Sequence, residues 1–473
     1  MPGDHPVGLL RPQAPAGPGA GETGILLTVA LGTMLVPLNS TMIAVALPRL
    51  IADFDARLGT AGWLVTGYLI AMASLQPVAG ALGDLVGRRR LMLAGLVCFG
   101  AASLGCGLAP DLPALVAFRI LQAVAGALVF PNGVALLREL AEPGRLGRRL
   151  GVIMGALPLA AAVGPLLAGV LLPLGWRAIF LVNLPLVLVP LVLGRRSIPA
   201  VARARPAPRL DVVGGLALSV VLVGFAWALN RGVTSLDGAV AAVVAAAAAV
   251  LFVRQELRTP RPVVELRLFR NTHFLSASGG VALSNLAMYV TLFTLPILLT
   301  RKGGWTGAQI GVALTTMTLT MTMFASSPVG GRLTDRRGAR LPAVAGLALM
   351  TACLVPLALA VTRLPGTVIV VTLLGIGTGL GLASVPLQVV AIEAVEPSLA
   401  GLVAGMFSTS RYLGSIVGIS LLAGPLAPAR TGLGGFPTVF AVVTAAAGAS
   451  ALLALLLPGG RRVAYPAEQP GAV

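Results

Sequence analysis

The chain has 473 residues, of which 57% are hydrophobic and only 11% charged, and its mean hydropathy is +0.94. A soluble core does not need so much apolar surface, so the composition excludes an ordinary soluble enzyme and indicates an all-α integral membrane protein in a lipid bilayer. The formal charge of +18 lies in short clusters such as Arg88–Arg90 and Arg195/Arg196 at the ends of apolar segments. That placement is typical of membrane topology signals, so we expect no nucleic-acid partner.

Apolar segments of about 18 residues or more predict membrane-spanning helices. In chain order, the fourteen predicted spans are 24–47, 61–82, 91–109, 113–137, 148–172, 178–194, 211–229, 236–253, 274–300, 307–329, 341–362, 365–390, 399–424 and 436–457. With the amino terminus inside, 24 of the 34 Lys and Arg residues fall in cytoplasmic segments and 8 in outer loops. This excess predicts that both termini are cytoplasmic.

Two segments between predicted spans repeat each other: GALGDLVGRRR (Gly80 to Arg90) and GGRLTDRRGAR (Gly330 to Arg340). Their aspartates lie 251 residues apart, so we interpret the chain as two related six-helix halves with two extra spans between them. The domain prediction is a disordered cytoplasmic tail 1–23, a first bundle 24–197, a linker with two extra spans 198–273, a second bundle 274–460 and a tail 461–473. The candidate gating residues of the two hairpins are Gly80, Asp84, Gly87, Arg88, Arg89, Gly331, Asp335, Gly338 and Arg340.

The hairpins have two interpretations. Asp84 suits a latch that accepts backbone N–H groups or pairs with arginine across the bundle interface, and breaks when the bundles rock. Alternatively, the hairpin is a turn that only fixes topology.

The fifth span carries small residues, including Gly155 and Gly169, at helical spacing, with Pro165 able to bend the helix. Small residues on one face let two helices approach closely. We therefore expect a bent helix at a tight interface.

Two arginines, Arg119 and Arg411, lie inside predicted spans. A cation at mid-membrane is costly, so each is expected to face a polar cavity or a partner. Gln122 shares the helical face of Arg119. An arginine bonded only to backbone carbonyls between helices is the alternative.

Polar residues follow one face of the ninth span, among them Asn285 and Tyr289, and one face of the tenth span, with Thr315, Thr318 and Thr322. They are candidates for lining a substrate path, and helix packing is the alternative. With Arg119 and Arg411 as the interior charges, we expect a neutral or anionic amphipathic substrate.

No metal site, cofactor or enzymatic centre is predicted. The three cysteines lie on apolar segments, and the two histidines, His5 and His273, lie in the tail and at a span edge. None of these residues has the spacing of a metal-binding or nucleophilic cluster.

Five motifs in order carry a family resemblance: LNSTMIAVALP (Leu38 to Pro48), the first hairpin, RILQAVAGA (Arg119 to Ala127), GALPLAAAVGPLLAG followed by GWRAIFLVNLP (Gly155 to Pro185), and GMFSTSRYLGSIVG (Gly405 to Gly418). The chain resembles the fourteen-helix drug:proton antiporter branch of the major facilitator superfamily. The resemblance implies two six-helix bundles plus two extra helices, a multidrug efflux permease in the bacterial plasma membrane, and no cofactor. It also implies that Gly155, Gly164, Pro165 and Gly169 form the antiporter helix and that Arg119 takes part in proton coupling.

The chain departs from this family at Asn39, where aspartate is usual, and at Ala44, where asparagine is usual. No carboxylate is therefore predicted at the bilayer centre, and another group or an ionisable substrate has to couple protons. We expect a monomeric, multi-pass secondary exporter of hydrophobic drugs or natural products, coupled to protons, which gives antibiotic resistance. The alternatives are a facilitator or symporter for a small nutrient, and a non-transporting membrane receptor on the same scaffold.

Overall fold

The structure, a computed structural model, describes residues 20–140, 146–199, 212–232, 234–259, 264–325, 328–395, 400–422 and 433–459. All regular secondary structure in these residues is helical. The first half contains α1 (Ala20–Asp53), α2 (Leu58–Ala61), α3 (Trp63–Val86), α4 (Arg88–Leu108), α5 (Leu112–Leu140), α6 (Leu146–Leu171), α7 (Ala178–Leu181) and α8 (Asn183–Ser197).

Two helices follow between the halves, and seven more make the second half. They are α9 (Val212–Arg231), α10 (Leu236–Arg258), α11 (Thr272–Lys302), α12 (Gly307–Ala325), α13 (Pro328–Arg337), α14 (Arg340–Ala360), α15 (Gly366–Glu393), α16 (Ala400–Leu421) and α17 (Gly435–Ala454). Short 3-10 turns lie at Leu172–Leu174 and Leu266–Arg270.

Helix ends follow from local chemistry. The Asn271 side chain accepts the backbone N–H groups of His273 and Phe274, which caps α11. Gly87 and Gly338 have φ of +102° and +79°, a conformation that strains residues with a Cβ. Each of these glycines separates two helices of a hairpin, and they lie at equivalent positions of the sequence repeat.

Within the described residues, twelve helices are long and apolar enough to cross a membrane. Two further helices, α12 and α16, lie on the remaining predicted spans, 307–329 and 399–424. The predicted span 178–194 is divided at Val182 into α7 and α8, and α12 ends at Ala325. The total of fourteen spans stays a prediction.

The predicted tail 1–23 is too long by a few residues, because α1 begins at Ala20. Adding residues to an existing helix needs no new nucleation, so α1 extends beyond its apolar segment. Residues 1–19 and 461–473 lie outside the described part of the chain.

The two halves repeat one packing scheme. In the first half α1 packs on α6 and α8, and α5 packs on α3 and α4. In the second half α11 packs on α16 and α17, and α15 packs on α12 and α14. The halves meet through α1 with α11, α3 with α16, and α6 with α12. Helices α1, α3 and α6 of the first half and α11, α12 and α16 of the second therefore form the interface at which the two bundles face each other.

Candidate functional site

Arg119 lies in the middle of α5 and is completely buried. Its Nη1 donates to Asn39 Oδ1 at 2.5 Å and to Gln122 Oε1 at 2.7 Å, and its Nε donates to the Leu64 carbonyl at 3.3 Å. These partners lie on α1, α5 and α3, so one guanidinium joins three helices of the first bundle. The structure thus brings the predicted residues Asn39, Arg119 and Gln122 together.

The hydrogen bonds continue beyond Gln122. Its Nε2 donates to Ser103 Oγ at 2.7 Å, and that hydroxyl donates to the Phe99 carbonyl on α4. The Tyr68 ring lies against the guanidinium, with its centroid 4.4 Å from Arg119 Cζ. Sequence reasoning missed Tyr68 and Ser103, although a polar residue in the middle of an apolar helix was an available signal for both.

No ion pair to Arg119 occurs in the described part of the chain, so its charge is balanced by amide and carbonyl dipoles and by an aromatic face. Arg119 Nη2, Asn39 Nδ2 and the Tyr68 hydroxyl are buried without a hydrogen-bond partner. Leaving a buried donor without a partner costs free energy of folding, so packing alone does not account for this cluster.

The second bundle contributes Tyr289 from α11 and Arg411 and Tyr412 from α16. The Tyr289 ring stacks on Phe293 with centroids 6.1 Å apart. Arg411 is exposed although it lies well inside its helix. The predicted residues Tyr289 and Arg411 therefore lie on two helices, α11 and α16, that pack against each other.

Tyr412 connects the bundles, because its hydroxyl accepts a hydrogen bond from Gln76 Nε2 of α3 at 3.4 Å. Three of the four tyrosines of the chain, Tyr68, Tyr289 and Tyr412, thus lie on helices of the bundle interface. Gln76 and Tyr68 were not predicted as site residues.

The threonines of α12 are placed differently. Thr318 Oγ1 lies 3.2 Å from the Leu314 carbonyl of its own helix and 3.5 Å from the Ala162 carbonyl of α6. Thr322 Oγ1 lies 2.8 Å from the Thr318 carbonyl and 3.0 Å from the Pro158 carbonyl of α6. The Thr315 hydroxyl bonds to the Gly311 carbonyl in its own helix. The hydroxyls of Thr318 and Thr322 therefore bond mainly within α12 while facing α6 at the bundle interface, in keeping with the packing alternative. The amide of Asn285, which is buried, donates to the Val281 carbonyl of its own helix.

The glycines of α6 have different surroundings. A Cβ on Gly169 would lie 2.9 Å from the Gly307 carbonyl oxygen and 3.0 Å from Ala308 Cα of α12. A Cβ on Gly164 would meet Leu38 and Thr41 of α1. Gly155 has open space, with nothing within 4 Å of an added Cβ. The close approach to the other bundle is thus at Gly169.

Pro165 takes part in the same interface. Its carbonyl faces Gly311 of α12, where an added Cβ would collide with the carbonyl oxygen. The kinked end of α6 and the start of α12 are therefore in backbone contact.

The first hairpin is held within the first bundle. Arg88 Nη2 pairs with Asp84 Oδ1 at 2.6 Å, and Arg88 Nη1 pairs with Glu139 of α5 at 3.4 Å. Arg89 Nη2 donates to the Arg195 carbonyl at the end of α8. Asp84 lies in α3 and Arg88 in α4, so Gly87 is the whole of the turn.

The other hairpin residues have simpler surroundings. A Cβ on Gly80 would lie 3.7 Å from Pro131 of α5. Gly331 and Asp335 lie in α13, and the Arg340 guanidinium donates to the Leu455 carbonyl after α17.

The extra helix α9 covers the seam between α3 and α16, since it contacts both. Trp227 packs on Trp63 with ring centroids 5.6 Å apart, and Asn230 Nδ2 donates to the Gly59 carbonyl at 2.9 Å. A narrow crevice lies beside these contacts, lined mainly by apolar side chains together with Thr66 and Asn230.

No group of three or more His, Cys, Asp or Glu side chains that could hold a metal ion occurs in the described residues.

A family model described as Major Facilitator Superfamily matches residues 29–419, which extend from α1 into α16 and include the two helices between the bundles. The chain belongs to the Major Facilitator Superfamily. Proteins of this superfamily are membrane transporters, so the buried Arg119 and the interface tyrosines lie in a transporter embedded in a bilayer.

Curated relatives of this transporter come from bacteria. It is 34% identical over 404 residues to the uncharacterized MFS-type transporter YvkA of Bacillus subtilis, covering 85% of this chain and 90% of YvkA. It is 32% identical over 415 residues to the tetracenomycin C resistance and export protein of Streptomyces glaucescens, covering 86% and 76% of the two chains. These similarities support membership of the drug-efflux branch of the superfamily.

The fold is also similar to that of a D-xylose-proton symporter of known structure, with a TM-score of 0.64 at 16% identity. The match covers 92% of this chain and 98% of the symporter. At this identity the likeness concerns the fold alone.

Proposed function

We propose that this protein is a secondary active exporter of hydrophobic drugs or natural products that works by alternating access and exchanges its substrate for protons. In this proposal fourteen helices cross the bacterial plasma membrane, both termini are cytoplasmic, and the protein acts as a monomer. The observation that carries the proposal is a pair of arginines, Arg119 in α5 and Arg411 in α16, that lie inside otherwise apolar helices, with Arg119 completely buried against the Tyr68 ring. Substrate sites of such transporters lie near the bilayer midplane between the two repeats.

The contacts between the bundles support alternating access. On one side, the α6 and α12 backbones touch at Gly169 and Gly311. On the other, α3 meets α16 through the Gln76 to Tyr412 hydrogen bond. Neither interface contains an ion pair among the described residues. The bundles can therefore separate without exposing unpaired charges.

Export of an apolar compound is supported by similarity to the tetracenomycin C resistance and export protein. The substrate would be neutral or anionic, because both interior charges are positive and their described neighbours are neutral. A permanently cationic compound would have to enter a region of positive potential.

The test uses inside-out membrane vesicles containing the protein and an imposed pH gradient, with uptake of a panel of apolar compounds measured before and after the gradient is collapsed. Uptake that requires the gradient would support proton-coupled export. Arg119→Lys serves as the inactive variant, and Arg363→Lys, at an exposed turn after α14, is the matched control. Absence of uptake with the gradient in place would contradict the proposal.

A facilitator is the second candidate, because Asn39 gives Arg119 an amide partner in place of a titratable acid. Equal flux with and without the pH gradient would favour the facilitator and contradict proton exchange.

A further inference from the structure

Three exposed arginines lie at one end of the first bundle. Arg90 is in the first turn of α4, and Arg195 and Arg196 are in the last turn of α8. Arg89 Nη2 donates to the Arg195 carbonyl at 3.1 Å, so the start of α4 contacts the end of α8. This contact brings the three exposed residues to one place, which we call the arginine patch (Arg90, Arg195 and Arg196).

No ion pair to the arginine patch occurs in the described part of the chain. The nearby carboxylates of Asp84 and Glu139 pair with Arg88 instead. The first turn of α4 contains no acidic residue, although the N-terminus of a helix favours an anion. The Nε of Arg89 is also buried without a hydrogen-bond partner. This end of the bundle therefore presents positive charge to which an anion can bind.

The arginine patch also lies at the end of two exposed apolar stripes. On α4 the exposed residues recur at steps of four and three, which places them on one helical face. They are Arg90, Ala94, Val97, Ala101, Leu104 and Leu108. On α8 the exposed residues Leu188, Val189 and Val192 precede Arg195 and Arg196. Exposed apolar faces of a membrane-embedded protein contact acyl chains, and arginines at helix ends extend to the headgroups, so both stripes lead from the acyl chains to the headgroup region.

The two stripes are adjacent, because α4 packs on α8 along both helices. A Cβ added to Gly194, beside the arginine patch, would lie 2.9 Å from the Leu93 side chain. Farther along the pair, a Cβ added to Gly100 would lie 3.5 Å from the Val187 side chain. A lipid whose acyl chains lie along this pair of helices therefore has its phosphate at the arginine patch.

We propose that the arginine patch binds the headgroup of an anionic phospholipid whose acyl chains lie along α4 and α8. A guanidinium presents parallel N–H groups that match two oxygens of a phosphate. Basic side chains at a membrane surface attract anionic lipids, and basic clusters between helices bind their headgroups. The site contains none of the predicted substrate-path residues, so the proposal does not depend on the exporter function.

The test titrates the delipidated full-length protein in detergent with phosphatidylglycerol and with phosphatidylcholine of the same acyl chains, and measures bound lipid by native mass spectrometry. We expect phosphatidylglycerol to bind at least about tenfold more tightly, since each basic residue at a membrane surface contributes about fivefold in affinity for an anionic lipid. Arg195→Gln combined with Arg196→Gln should weaken phosphatidylglycerol binding about tenfold or more and leave phosphatidylcholine binding unchanged. The matched control, Arg254→Gln with Arg258→Gln, removes two exposed arginines near the end of α10 and should retain the preference.

Equal affinity for the two lipids would show that these arginines only set topology, and would overturn the proposal. An equal loss of phosphatidylglycerol binding in the control variant would overturn it as well. Glycerol phosphate distinguishes a lipid headgroup from a free phosphate. If glycerol phosphate binds as tightly as phosphatidylglycerol, the arginine patch is a site for soluble phosphates and the lipid proposal is wrong.

If the double glutamine variant is not monodisperse, Arg90→Gln replaces it, because removing a positive charge from a helix N-terminus does not destabilise the helix. We expect phosphatidylglycerol to bind about fivefold more weakly to Arg90→Gln than to the unmodified protein. Unchanged binding in this variant contradicts the site.

Discussion

The contact between Gly169 and α12 allows a direct test of how the bundles meet. In Gly169→Ala the new Cβ would lie 2.9 Å from the Gly307 carbonyl oxygen, while ordinary contact begins at 3.4 Å. The neighbouring atoms belong to backbone, so they cannot rotate away. The two helices must therefore separate by about half an ångström at this point.

The cost follows from comparison with a matched glycine. Overpacking of this kind costs about 1–3 kcal/mol, and alanine is about 1 kcal/mol better than glycine inside a helix. Gly155→Ala changes the same residue type in the same helix where an added Cβ meets nothing within 4 Å. The helix-propensity gain cancels between the variants, so Gly169→Ala should be less stable than Gly155→Ala by the whole overpacking cost.

The population of the closed α6 to α12 interface can be measured by cross-linking. Thr318 Oγ1 lies 3.5 Å from the Ala162 carbonyl, so Ala162→Cys with Thr318→Cys reports the contact once the three native cysteines are replaced. A cost of about 1–3 kcal/mol corresponds to a population change of about 5–150-fold. We expect disulfide formation to slow at least about fivefold in Gly169→Ala. Equal cross-linking rates and equal thermal stability in the two alanine variants would refute the reasoning.

Three other changes test the site and its surroundings. Arg119→Lys keeps the positive charge but loses the planar guanidinium that holds Asn39. Transport in vesicles should therefore fall about tenfold or more, while the amount of protein in the membrane stays normal. Asp84→Asn removes a partly exposed ion pair with Arg88 that stabilises the fold by only about 0.2–1 kcal/mol, so transport should fall while melting temperature changes little. Trp227→Ala removes an aromatic contact with Trp63 that contributes about 0.5–1.5 kcal/mol beyond its buried area, so the melting temperature of the protein should fall.

Controls separate these effects from general damage. Arg363→Lys should transport normally, whereas a loss equal to that of Arg119→Lys would remove the special role of Arg119. Equal loss of transport and of membrane abundance in Asp84→Asn would assign the hairpin a folding role. An unchanged melting temperature in Trp227→Ala would show that α9 is held by other contacts.

Much of the fold could be predicted because the bilayer constrains the sequence strongly. Apolar length locates the helices, and the repeated hairpins reveal the two halves. Gly87, alone between α3 and α4, and Gly338, the first of two residues between α13 and α14, then have the positive φ that residues with a Cβ rarely adopt. The burial of Arg119 also follows from sequence, since a cation at mid-membrane must turn inward.

The partners of these residues could not be predicted in the same way. Thr318 and Thr322 have a helical spacing that fits a cavity wall, yet their hydroxyls lie within hydrogen-bond distance of α6 carbonyls. Tertiary packing alone decides whether such a helical face lines a cavity or contacts another helix. Gly155 and Gly169 look equivalent in sequence, but only Gly169 meets the other bundle. No sequence motif marks three of the site residues, Tyr68, Gln76 and Ser103. They belong to the site because of the neighbouring helices that their side chains contact.

The position of α9 makes the two flanks of the transporter unequal. One seam between the bundles is closed by bare backbone contact at Gly169, and the other is overlaid by a helix that touches both bundles through residues such as Trp227. The two seams therefore differ in what has to move before the bundles can part: two helix backbones in direct contact on one flank, and a third helix with its tryptophan contact on the other.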